Sequence, residues 1–229
     1  MTLPSDSSMQ AGSPAVALRA EAMLHPEQPA RSGLLARLFT GSVLAVWVPL
    51  LLVVGASLMV GHWVALPTPA KDDGILLASL ADTIGDEHDG TWRMVHVLYS
   101  ECPCSRRILD GMLREPRDPE VHETVLVVGE DQELPGQLRA AGFGVLHTTR
   151  EELAERWHIE SAPLLLILDP SGELAYLGGY TERKQGLAVK HRDYLQRLQT
   201  DDDVESLPVY GCGVSQPLQD ALDPLGLKY

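Results

Sequence analysis

The sequence predicts an α/β domain, a central mixed sheet flanked by helices, behind one N-terminal membrane-spanning helix. Three observations carry this. Residues 38–70 contain no Asp, Glu, Lys or Arg. Beyond them, short apolar runs alternate with stretches of helical pattern, the order expected of sheet and helix layers packed together. Near the end, two apolar runs flank Asp169-Pro170-Ser171-Gly172, whose residues favour a tight turn and hence an antiparallel hairpin.

Residues 1–32 are rich in Ser, Pro, Ala and Gln, lack an apolar period, and read as a disordered tail. The anchor is expected over 38–64, since Phe39–Val60 alone is long enough to cross ~30 Å of hydrocarbon. Pro49 is tolerable within a membrane helix, and Trp63 suits its interfacial end. A cleaved signal peptide is the competing reading. Its apolar core, however, is only ~7–15 residues long and close to the N-terminus, whereas here a long polar leader comes first. Arg31 and Arg37 flank the segment on one side, while Lys71 on the other is followed at once by Asp72 and Asp73. Basic residues mark the cytoplasmic flank, so the N-terminus is expected inside and the C-terminal part outside. In a bacterium this means a single-pass inner-membrane protein with a periplasmic domain, where disulfide exchange is permitted.

Residues 65–74 read as a linker and 75–84 as a short helix. Strands are expected at 94–99, 124–128, near 145–146, at 164–168 and at 173–177. Helices are expected at 104–114, around 134–141, at 150–157 and at 187–199. Residues 201–229 form an extension. The formal net charge is −14, and residues 1–66 hold three acidic and three basic residues, so the imbalance lies wholly beyond residue 66. An acidic domain lacks the basic footprint of a nucleic-acid binder.

The chain has three cysteines. Two stand in Cys102-Pro103-Cys104-Ser105, between the apolar run Met94–Tyr99 and the helical stretch Arg106–Leu113. A thiol at a helix N-terminus meets partial positive charge and unpaired N–H groups, which favour thiolate over thiol; Arg106 and Arg107 would add to this if they lie near. A disulfide between cysteines two positions apart closes a very small ring and demands unusual geometry. The alternative is that both thiols stay reduced and bind a soft ion such as Cu(I), with His96 or Cys212 as a further ligand. Cys212 lies between glycines in Gly211-Cys212-Gly213. It is either a resolving thiol folded back over Cys102 or an incidental thiol in a turn.

This element order, the thiols after the first long strand, and Ala162-Pro163 before the hairpin together resemble the thioredoxin fold over residues 75–200. In that family a Cys-x-x-Cys motif starts the helix after a central strand, and a cis-proline opens a later strand beside it. The resemblance implies a cis Ala162-Pro163 bond presenting the backbone of Ala162 beside Cys102. Fitting Val95–Cys102 to the family puts Cys102 at the nucleophile's place, Ser105 where the resolving cysteine stands, and His96 where a buried acid is common. The implied activity is that of a membrane-anchored extracytoplasmic thiol–disulfide oxidoreductase acting on protein disulfides and needing no cofactor. Cys102, Cys104, Pro163 and Cys212 form its site. The alternative is a non-enzymatic Cu(I)-binding protein using Cys102, Cys104 and His96.

Overall fold

The computed structural model describes residues 31–84, 90–184, 186, 189–224 and 226. The expected tail therefore lies outside the described residues up to position 30, as do Leu187 and Ala188 at the expected start of the last helix. The chain divides into two units, Met1–Val48 and Pro49–Tyr229. Helix α1 runs Arg31–Trp63, with Pro49 inside it, so the expected tail gives way to helix already at Arg31. Its Arg37–Ala56 stretch has the length and mean hydropathy, 2.2, to cross a membrane, and none of it is buried against the rest of the chain.

In the second unit the next elements are α2 (Gly74–Ile84), β1 (Trp92–Tyr99), α3 (Pro103–Met112), β2 (Val121–Val128) and α4 (Leu134–Ala140). They are followed by β3 (Gly144–Thr148), α5 (Arg150–Trp157), β4 (Ser161–Ala162), β5 (Leu164–Leu168), β6 (Leu174–Gly178) and α6 (His191–Gln199). The extension adds β7 (Cys212–Gly213) and α7 (Gln216–Leu222). Five strands form one sheet in the order β3-β2-β1-β5-β6. β1, β2 and β3 are mutually parallel, while β5 runs antiparallel to β1 and β6 antiparallel to β5. A central strand feeding a thiol-bearing helix, with an antiparallel hairpin completing the sheet, is a thioredoxin-like fold.

The pleat sends alternate residues to opposite faces. Val95, Val97 and Tyr99 of β1 join Leu76, Leu80, Leu153, Trp157 and Cys102 in one core. Met94 and Leu98 join Ile108, Met112, Leu138, Tyr176 and Tyr194 in the other. β5 is buried along its whole length because both faces are covered. The hairpin turn follows from its residues. The Asp169 carboxylate accepts from the backbone N–H groups of Ser171 and Glu173, at 2.8 and 2.9 Å, and Gly172 supplies the positive φ of 85°.

The extension is part of this domain. The Tyr176 hydroxyl donates to Gly179 O at 2.7 Å and accepts from the Leu207 N–H at 3.2 Å, while Gly179 N–H donates to Leu207 O at 2.9 Å. Tyr176→Phe leaves two backbone groups short of a partner and is expected to cost about 1–3 kcal/mol. Urea denaturation of the reduced protein reads that loss.

Candidate functional site

Cys102 is the N-cap of α3. Its backbone is extended (φ −85°, ψ 119°) and Pro103 fills the first helical position, where a missing N–H costs nothing. The strand end is tied to the helix start from both sides. Cys102 N–H donates to Tyr99 O at 3.0 Å, Ser105 Oγ accepts from Tyr99 N–H at 3.1 Å, and Arg106 Nε donates to Ser100 O at 2.8 Å. Ser105, at the family's resolving position, is thus a buried structural hydroxyl. Arg106 holds the turn backbone rather than the thiol.

The bond between Ala162 and Pro163 is cis, and Ala162 O lies 3.9 Å from Cys102 Sγ. β4 pairs antiparallel with β7, with Ala162 opposite Cys212 and Ser161 opposite Gly213. The flanking glycines suggest a loop for Cys212; the fold makes it a strand residue facing the cis-proline turn. The readable trace of this was Val209-Tyr210-Gly211-Cys212-Gly213-Val214, an apolar alternation too short to separate from a loop by pattern alone.

The three thiols interact, and all are unoxidised. Hydrogen bonds from Cys104 and then from Cys212 hold the Cys102 thiol far below its ordinary pKa; burial opposes them, and the backbone amides of Ser105 and Cys104 add to the lowering. The same contact with Cys102 pushes Cys104 up, aided by burial and by the Cys102 charge, with Arg107 and Lys184 pulling the other way. Cys102 is therefore the most readily ionised thiol of the coupled pair. Arg107, like Lys184, acts on Cys104.

In the reduced protein, ultraviolet thiolate absorbance followed against pH should show one thiolate persisting well below the ~8.5 of an ordinary cysteine. Cys104→Ala and Cys212→Ala each remove a donor to that thiolate. Both should move its midpoint upward toward the ordinary value, Cys104→Ala the further.

Cys102 has no exposed surface, Cys212 is 7% exposed, and Cys104 is the half-buried member.

His96 does not join them, a correction to the metal set Cys102, Cys104 and His96. It alternates with Val95 and Val97 and so points to the face opposite Cys102. There its Nδ1 lies 2.9 Å from the Tyr180 hydroxyl and its Nε2 3.5 Å from Glu123. Burial pushes the Glu123 carboxyl up, but His96, Arg117 and Arg192 together hold it below the usual range. Burial and the neighbouring His96 push His191 down to about 3, so it is neutral near pH 7. This is a structural polar cluster under α6. Among the described residues no three His, Cys, Asp or Glu side chains are grouped to hold a metal ion.

No protein-family model matches the chain, and no curated protein sequence matches it. Solved structures similar to it include a hypothetical protein from Sinorhizobium meliloti, 18% identical, covering 56% of this chain and 80% of that one with a TM-score of 0.43. StoA from Bacillus subtilis is 19% identical and covers 38% of this chain and 72% of its own, with a TM-score of 0.28. A secreted Mycobacterium tuberculosis disulfide oxidoreductase homologous to E. coli DsbE is 14% identical and covers 48% and 82%, with a TM-score of 0.34. These likenesses are too distant to carry chemistry across, which has to come from the chain's own thiols.

Proposed function

We propose that the protein is a membrane-anchored, extracytoplasmic thiol–disulfide oxidoreductase that acts on protein disulfides through Cys102. The observation that carries this reading is the convergence of Cys102, Cys104 and Cys212 at the start of α3, with the negative charge drawn onto Cys102. Thiolate is the attacking species in exchange. Cys102 attacks one sulfur of the substrate disulfide; the other sulfur leaves, and a second thiol of the group resolves the mixed disulfide. The apolar stretch Arg37–Ala56 supports the anchor. The basic residues on its N-terminal side support an N-in orientation that places residues 67–229 outside the cytoplasm.

A full-length chain carrying Cys104→Ser and Cys212→Ser tests the reading, because it cannot resolve what it attacks. It should accumulate a mixed disulfide at Cys102 with its protein partner, identifiable by peptide mapping. Tight Cu(I) retention against a competing chelator by the natural chain, together with no adduct in the variant, would replace this reading with copper binding.

A further inference from the structure

Cys102 is fully buried, and the chain's own C-terminal segment pairs with the strand beside it. β4 is two residues long and stops at Pro163, and its free edge is taken up by β7. The pairing with β4 continues on one side, to Glu160, and further up the tail pairs with another segment of the chain. Val214 N–H donates to Glu160 O at 2.7 Å and the Ser215 hydroxyl to the Glu160 carboxylate at 3.0 Å. Upstream, Leu66 N–H donates to Val209 O at 2.9 Å. Residues 212–214 are therefore laid along 160–162 as an extra strand, with Val209 held by Leu66, and the strand's cysteine stands opposite Ala162, whose carbonyl is 3.9 Å from Cys102 Sγ.

An extended segment added to this edge brings a cysteine to the nucleophile by main-chain pairing alone. The edge also imposes a side-chain requirement. A Cβ on Gly211 would overlap the Ala162 carbonyl oxygen and come within 2.6 Å of Pro163 Cδ, both of which belong to the fixed side of the contact. A Cβ on Gly213 would instead meet Leu218 and Leu222 of α7, at 3.1 and 3.3 Å, both part of the same tail. The residue before the cysteine must therefore be glycine, while the one after it is limited only by the tail.

We infer that residues 209–215 are a built-in stand-in for the substrate, and that the partner is an extended protein segment with a glycine before its disulfide-bonded cysteine, which must displace this tail from Ser161–Ala162. This rests on the redox function proposed for Cys102. The Cys102 thiolate attacks the partner's cysteine sulfur; the Cys102–partner bond forms as the partner's disulfide breaks, and the electron pair leaves on the partner's other sulfur, which takes a proton. Return of the tail brings Cys212, which loses its proton to solvent and attacks Cys102. The partner's cysteine departs as the second thiolate and is protonated. Two electrons pass from Cys102 and Cys212 to the partner, leaving a Cys102–Cys212 disulfide.

The test uses the full-length Cys104→Ser, Cys212→Ser chain in detergent. The probes are the peptide Val-Tyr-Gly-Cys-Gly-Val carrying thionitrobenzoate on its cysteine, the same peptide with Ala before the cysteine, and the free dithio-nitrobenzoate reagent. The glycine peptide should form its adduct at least about tenfold faster than the alanine peptide, a difference of about 1.4 kcal/mol in barrier. In that adduct, hydrogen exchange at the Val214 amide should quicken by a similar factor. Equal rates for the two peptides, or an adduct that leaves residues 209–215 as protected as before, would overturn the inference and leave the redox reading standing. If none of the three reagents modifies Cys102, the redox reading falls as well. Gly211→Ala in the otherwise natural chain is an independent check. Crowding the tail off the edge should raise the rate of attack on the glycine peptide, and an unchanged or lower rate in a folded variant counts against the tail as gate.

Discussion

Cys102→Ser is expected to lower the rate of disulfide exchange by at least roughly a thousandfold, about 4 kcal/mol of barrier. A serine hydroxyl of the same shape keeps the N-cap position of α3 and its neighbours, but it is not ionised near neutral pH and so offers no nucleophile. Neither remaining thiol can stand in for it. Cys104 loses the anion that shares its proton but stays half-buried, with burial still raising its pKa. Cys212 lies on the β4 edge behind the segment that carries it. The measurement is reduction of a peptide disulfide by the reduced chain, natural against variant, with circular dichroism confirming an unchanged fold. Exchange that survives in Cys102→Ser at more than a tenth of the natural rate would assign the chemistry to Cys104.

The second large effect is expected from Cys212→Ser. A mixed disulfide at Cys102 should then persist at least roughly a hundredfold longer than in the natural chain, about 2.7 kcal/mol of barrier. Cys104 is the nearer thiol in sequence, yet it is held in the first turn of a helix whose N-cap is Cys102 itself. A bond between them needs backbone rearrangement at the strand–helix junction. Cys212 approaches from a different element, across a strand pair, with no such constraint on the α3 backbone. Glutathione adducts followed by intact mass, natural chain against Cys104→Ser and Cys212→Ser separately, decide between the two. Persistence in Cys104→Ser but not in Cys212→Ser would reverse the roles.

Much of the fold was legible because its signals are local. The alternation of apolar runs and helical stretches placed the strands of the sheet, and Asp169-Pro170-Ser171-Gly172 marked the hairpin through side-chain-to-backbone hydrogen bonds confined to the turn itself. The position of the thiols at a strand–helix junction was legible for the same reason, since β1, Pro103 and α3 are contiguous in the chain. The cis Ala162-Pro163 bond was not readable from composition. It came from the resemblance in element order.

What stayed hidden depends on which residues face each other across long sequence separations. His96, near the end of the central strand, could be read as a buried base or copper ligand or as a packed strand histidine; strand alternation sends it to the face away from Cys102, and it is packed among Tyr180, His191 and Glu123. Arg106 sits beside the motif in sequence, and its guanidinium is spent on Ser100 O.

By itself, then, the sequence determined the α/β layering, an apolar segment of membrane-spanning length, and a thiol pair poised at a helix N-terminus, all consequences of local period and composition. Only the tertiary structure decided that Cys212 stands opposite Ala162, whose carbonyl is beside Cys102, and that Ser105 is a strut. Pairing of β4 with β7 brings together residues far apart in the chain, and no local pattern specifies the partner of a two-residue strand. The lowering of the Cys102 pKa follows from the adjacent Cys104 and from that pairing, because thiol donors as well as the helix-end amides favour its thiolate.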